Sequence, residues 1–232
     1  PGRDPAWITA LATFSQLVYP EISARMRDVS GIDPQFMRHV MLVTAMTERA
    51  DALAWGALQG GAVQTLSVAE ASQLEPHATL HEEPLWMPKI ASVRTPRLGQ
   101  ALYKTAALHP RITVREHQSV SLSGSVEQPV VMVNGESQHA DRVVVAAGAW
   151  TQSVLDPLGV STPIRPMKGQ MLLFAPSFRV GRVVLADGRY AIPRADGRIV
   201  FGSTLEDVGF QRCPDEPAHR SLYASALHLI PS

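Results

Sequence analysis

The chain has 232 residues, 45% of them apolar and 18% charged, enough to bury a sizeable core and unlike the composition of a disordered segment. Its 21 basic and 21 acidic residues cancel. No lysine or arginine run is present to displace counterions from a phosphate backbone, which excludes nucleic acid as an expected partner. No run of about 18 apolar residues exists to span a membrane, and Cys213, the only cysteine, excludes an internal disulfide and suits a reducing, cytoplasmic compartment.

The opening Pro1-Gly2-Arg3-Asp4 has neither a methionine nor the basic and apolar regions of a signal peptide. At the other end a helical pattern through Leu222, Ala226 and Leu229 stops at Pro231-Ser232. Both ends read as cuts inside a longer protein.

Apolar residues at helical spacing over positions 7–29 predict a helix, which Pro20 is placed to kink or divide and Gly31 to end. Positions 38–46 predict a strand, and 48–59 a helix ended by Gly60-Gly61. Ser67-Val68-Ala69-Glu70 is a capping-box pattern opening a short helix that Pro76 closes. Thr95-Pro96 reads as a cap followed by proline at the first helical position, with Leu98, Ala101, Leu102 and Thr105 along one face. Positions 112–116, 130–133 and 142–147 are strand-like, and a helix follows Gly148 through Leu158. After Gly169 come short strands at 171–174, 183–185, 190–192 and 199–203, the last two joined by an Ala195-Asp196-Gly197 turn. Interleaved helix and strand followed by short antiparallel strands implies two architectures, α/β plus α+β, threaded by one chain.

The block from Arg142 to Trp150 is an apolar strand pattern ending in Ala146-Ala147-Gly148 before a helix start. Small residues there let backbone approach a flat or charged group, and a helix N-terminus favours an anion. The plainer reading is a tight strand-to-helix turn that needs glycine for sterics alone. Other candidates also have plain readings. Lys168 reads as a solvated or turn-stabilising lysine, Arg165 and Arg194 as members of surface ion pairs, and adjacent Glu206 and Asp207 as facing apart on a strand. His77 and His81 lie four apart, but Pro76 and Pro84 bracket them and oppose the helix that would align two imidazoles, so no metal is expected. Met37, Met41 and Met46 read as core filling, and nothing beside Cys213 activates its thiol.

Three stretches carry a resemblance when taken in order: Pro163-Ile164-Arg165-Pro166-Met167-Lys168-Gly169-Gln170-Met171, Tyr190-Ala191-Ile192-Pro193-Arg194, and Gly202-Ser203-Thr204-Leu205-Glu206-Asp207-Val208-Gly209-Phe210. With positions 14–31, the Thr95-Pro96 helix, Glu116-His117-Gln118-Ser119-Val120 and the 143–150 block, they resemble the bacterial glycine oxidases of the thiamine pathway, in the D-amino-acid oxidase superfamily.

The resemblance implies a partial FAD-binding dinucleotide-type domain (1–32 and 89–153) combined with a largely antiparallel-sheet substrate domain (33–88 and 154–232). It implies that Val120 contacts the flavin cofactor through its backbone, that Ala146, Ala147 and Gly148 lie near it, and that the Tyr190 hydroxyl holds the substrate carboxylate. No residue present is expected to act as acid or base; the cofactor would carry the oxidation of glycine or another small amine or D-amino acid, with oxygen as acceptor. A homo-oligomer is implied as well. The family's Gly-x-Gly-x-x-Gly turn is missing, since Gly56-Ala57-Leu58-Gln59-Gly60-Gly61 has the wrong spacing and sits at a helix end. The family's substrate arginines and closing flavin loop would lie beyond Ser232, so the chain alone is expected to hold FAD weakly and to lack a complete active site. Other readings are a D-amino-acid dehydrogenase passing electrons to a quinone or protein, a non-catalytic binding module, and an oxidoreductase domain fused to an RNA-modifying methyltransferase.

Overall fold

The computed structural model describes residues 5–80 and 83–231. Readings placed on Pro1-Gly2-Arg3-Asp4, on His81 with Glu82, and on Ser232 fall outside that set. In chain order the elements are α1 (Ala6–Ser30), β1 (Met37–Ala45), α2 (Arg49–Leu58), β2 (Gln64–Thr65), α3 (Val68–Leu74), β3 (Leu85–Ser92), α4 (Thr95–Leu108), β4 (Val120–Gly124), β5 (Pro129–Val133), β6 (Glu136–Gln138), α5 (Thr151–Leu155), β7 (Met171–Phe174), β8 (Val183–Ala186), β9 (Arg189–Pro193), β10 (Ile199–Gly202) and α6 (Glu216–Leu229). They form two compact units. The first takes in the chain up to Ile112, Gln170–Ser203 and everything from Pro214; the second is Thr113–Gly169 with Thr204–Cys213.

The first unit is built on a seven-stranded sheet in the order β2-β3-β1-β8-β9-β10-β7. All neighbours are antiparallel except β1 and β8. Two Asp-Gly turns shape its second half. Asp187 and Gly188, both with positive φ, make the two-residue loop that reverses β8 into β9. Gly197, at φ 83°, ends the three-residue loop before β10, where the Arg194 N–H donates to the Arg198 carbonyl at 2.8 Å. Residues then alternate between faces. Val184, Ala191, Ile199 and Phe201 point to one face and pack under Leu222, Ala226 and Leu229 of α6. The opposite face, on the β1 and β3 side, is covered by Ala52, Leu53 and Trp55 of α2 with Val43, Leu85 and Leu185.

Gly56 has a packing role. A Cβ there would lie 2.6 Å from Val63 Cβ and 2.8 Å from the Val63 amide nitrogen, so only glycine lets the chain fold back across the end of α2.

The helix expected from positions 7–29 forms as one element. Pro20 does not divide it, and Gly31, at φ 71°, closes it by donating to the Arg27 carbonyl at 2.8 Å. The Ser67–Glu70 capping box is present, with the Glu70 N–H donating to Ser67 Oγ at 3.2 Å and the Ser67 N–H to Glu70 Oε2 at 3.0 Å. The Ser67 hydroxyl, which donates to Glu70 Oε2 at 2.6 Å, and then the Ser67 N–H hold the Glu70 carboxyl below its usual range. At α4 the cap is Arg94 instead of Thr95, and Pro96 is one position further in. β3 was not predicted; it carries Pro88, which the sheet tolerates where the β1 register shifts between His39 and Met41.

The second unit holds a three-stranded meander, β4-β5-β6, whose second turn is Asn134-Gly135 with positive φ at both positions. The strand expected at 130–133 is β5. Those expected at 112–116 and 142–147 are not strands. Their apolar alternation keeps the backbone extended, but among the described residues no partner strand completes a ladder, and Val144 is 86% exposed. The helix expected after Gly148 forms in pieces: a 3-10 turn at Gly148–Trp150, α5, and a second 3-10 turn at Asp156–Leu158. Gln152 ties its end down, donating to the Val160 carbonyl at 3.1 Å and accepting from the Thr162 N–H at 2.7 Å.

Candidate functional site

The face of the large sheet away from α6 is covered on its β1 side. Among the described residues Met171 and Leu173 of β7 are exposed on that face, and Tyr190, Ile192 and Val200 of β9 and β10 are half-buried. Register places Leu185, Tyr190, Gly202 and Met171 in one row across four strands. Tyr190 is half-buried there. Gly202, directly opposite, offers no side chain, and a Cβ on it would meet Met171 Cγ at 2.9 Å, so the methionine lies across the gap. Leu173, on the same face, is 59% exposed and Met171 47%. An aromatic hydroxyl at the border of an apolar, partly exposed surface can fix the polar end of a small ligand. The Arg189 guanidinium secures this corner by donating to the Ser203 carbonyl.

The other residues singled out in the sequence belong to the second unit. Val120 opens β4 opposite Val133 and is 52% exposed. Ala146 is exposed and Ala147 half-buried. Gly148 takes φ 54°, and a Cβ there would touch nothing within 4 Å. Positions 142–146 carry alternately exposed and half-buried side chains, and the chain turns at Ala147 and Gly148 with only small residues there. That arrangement fits a flat cofactor approaching the main chain.

Sequence reading missed a second feature of this unit. Lys168 is not solvated: its side chain is buried, with Nζ 3.7 Å from Glu206 Oε2, and the two residues exchange backbone hydrogen bonds at 2.9 Å. Asp207 points elsewhere, to Arg165 at 3.1 Å, so the two adjacent acids do face apart. Beside them is a hollow of about 280 Å³ with Trp150 stacked on Phe210 (centroids 5.5 Å apart) and the Arg212 guanidinium 5.3 Å from the Trp150 ring. The signal available was the spacing of Trp150, Phe210 and Arg212 around the Lys168-Gly169 pair, which only tertiary contact brings together. In the first unit His77 stacks on Phe178 at 4.3 Å. Met41 and Met46 pack around the Val43–Leu85 cluster, and Cys213 is exposed. No helix among the described residues is long and apolar enough to cross a membrane.

Comparison with known proteins adds the following. The description of one family, FAD dependent oxidoreductase, matches residues 1–232. A glycine oxidase from Pseudomonas putida is 36% identical over 238 positions, which take in 100% of this chain and 64% of that protein. The crystal structure of glycine oxidase from Geobacillus kaustophilus superposes with a TM-score of 0.90 at 25% identity, over 100% of this chain and 64% of that one. That of an iminodiacetate oxidase from Chelativorans superposes with a TM-score of 0.79, also at 25% identity, over 96% and 64%. The chain thus spans about 64% of the length of the relatives it matches.

Proposed function

This chain belongs to the family of FAD-dependent oxidoreductases, and on that premise we propose that its protein oxidises the amine of glycine or a closely related small amino acid. The observation carrying this reading is the unbroken likeness to a glycine oxidase along the whole chain, at 36% identity. The likeness to an iminodiacetate oxidase points the same way, because iminodiacetate also contains an aminoacetate unit. FAD, held by the backbone of Val120 and of Ala146, Ala147 and Gly148, would supply the two-electron acceptor for the hydride of the amine's Cα and would pass the electrons to oxygen.

The chain's own residues bind and orient. Tyr190 donates a hydrogen bond to the substrate carboxylate from this face of the sheet, and the row of Leu185, Gly202 and Met171 beside it gives the substrate an apolar floor. The backbone of Val120 and of Ala146, Ala147 and Gly148 receives the cofactor. By this reading positions 1–32 and 89–153 serve FAD and positions 33–88 and 154–232 serve the substrate. The protein is a cytoplasmic homo-oligomer.

Tyr190→Phe in the FAD-loaded protein removes one hydrogen bond to a charged group and keeps the ring. The expected result is a KM for glycine raised about tenfold or more, with a smaller change in kcat. Steady-state oxygen consumption measures both, and an unchanged KM removes Tyr190 from the substrate site.

A further inference from the structure

A hollow of about 360 Å³ in the first unit lies where the start of β1, the approach to β8 and the β9–β10 turn meet. Its walls include Arg38 and His39, Arg179, and Arg194 with Arg198. Arg94, at the cap of α4, stands close enough to act on Arg194 electrostatically. Behind the Gly181 wall Glu75 Oε2 is taken up by the Gly181 and Arg182 N–H groups; set against these five guanidinium groups at the β9–β10 turn is Asp196. It is already shared between Arg94 at 3.3 Å and Arg198 at 3.4 Å. Arg38 and Arg179 are exposed and have no acidic partner among the described residues, and Arg194 donates to the Val93 carbonyl at 3.4 Å. His39 is buried, with Nε2 2.9 Å from Ser92 Oγ.

Like charges gathered this way repel each other, and the ionisation of the group records it. Burial and then the charge of Arg94 hold Arg194 below the usual arginine range, against the pull of Asp196. Burial and then Arg194 hold His39 below the usual histidine value. The chain as a whole is neutral, so this excess is local. The oxidation described above makes no use of it.

We propose that this hollow is a binding site for the phosphate group of a small phosphorylated molecule. A monocarboxylate carries one charge and is satisfied by one guanidinium fork, whereas a phosphate dianion presents acceptor oxygens in several directions and can take forks from β1, the β8 approach and the β9–β10 turn together. The cationic groups line a concavity, not a stripe along the surface, which suits a small molecule better than a nucleic acid backbone.

The test is isothermal titration of the purified protein with inorganic phosphate, pyrophosphate and succinate at about 0.15 M ionic strength, where long-range attraction is largely screened. Pyrophosphate is expected to bind saturably, more tightly than phosphate, and to raise the melting temperature. Arg38→Gln with Arg179→Gln weakens it about tenfold or more, because charge-assisted hydrogen bonds are lost. Arg25→Gln with Arg220→Gln removes the same two charges from exposed helix positions and leaves affinity within about twofold, since screening leaves little long-range attraction. Absence of saturable pyrophosphate binding, equal weakening by both double variants, or succinate binding as tightly as pyrophosphate would each overturn the assignment.

Discussion

Glu75→Ala is expected to lower the unfolding free energy by about 3–5 kcal/mol, while Glu75→Gln costs only about 1 kcal/mol. Glu75 follows α3, is 1% exposed, and accepts on one oxygen, Oε2, from the Gly181 N–H at 2.9 Å and the Arg182 N–H at 3.0 Å. Arg182 completes the clamp by donating to the Leu74 carbonyl. Alanine leaves two part-buried N–H donors without an acceptor, and a void where the buried carboxyl was, at the point where the chain enters β8, a central strand; glutamine can place its carbonyl oxygen on both. The pH dependence has a definite sign. Burial holds the Glu75 carboxyl above the usual carboxylate value despite the two N–H bonds and Arg182. The folded state therefore holds that proton more tightly than the unfolded chain. Its contribution is fully present below the unfolded value and is lost as pH rises through the raised one. Glu75→Gln cannot titrate, so its stability relative to the native protein improves as pH rises through that window. Urea unfolding at several pH values reads both effects. A Glu75→Ala loss below about 1 kcal/mol would mean that the clamp is not closed in solution.

Phe201→Ala is the second large effect, expected to cost about 3–5 kcal/mol, with Phe201→Leu nearer 1–2. Phe201 is 1% exposed on β10, between Val184, Ala191 and Ile199 on the sheet and Leu222 with Ala226 on α6, and its ring meets Phe174 edge-on with centroids 6.5 Å apart. It also walls a hollow of about 310 Å³ at the end of α6. Truncation enlarges that hollow and removes the contact that fixes α6 over the sheet. For a chain of this size the melting temperature should fall by about 2–4 °C per kcal/mol. A fall of only a degree or two would show that α6 is not held by this core.

Much of this fold is legible in the sequence because its signals are local. Gly31, the Ser67–Glu70 box and the Asp196-Gly197 turn each act within a few residues, and the structure shows all three. The failures are non-local. Positions 142–147 have a strand's alternation but no neighbour to pair with among the described residues, while β3 has a partner on each side and hides its signal behind Pro88. Arg94 takes the cap expected of Thr95 because its backbone N–H is committed to the Pro34 carbonyl at 3.0 Å, a contact across 60 positions. The candidate site divides in the same way. Tyr190 is proposed for the substrate site through its place in an ordered series of motifs. The partly exposed face around it depends on Gly202 lying opposite Tyr190 in the register, and the arginine hollow on three distant segments meeting; no periodicity reports either.

Anaerobic addition of glycine to the FAD-loaded protein tests the functional account most directly. The yellow flavin absorbance should bleach on mixing, then return when air is admitted, with hydrogen peroxide and ammonia formed in step. A flavin spectrum left unchanged by glycine, iminodiacetate and small D-amino acids would contradict the account.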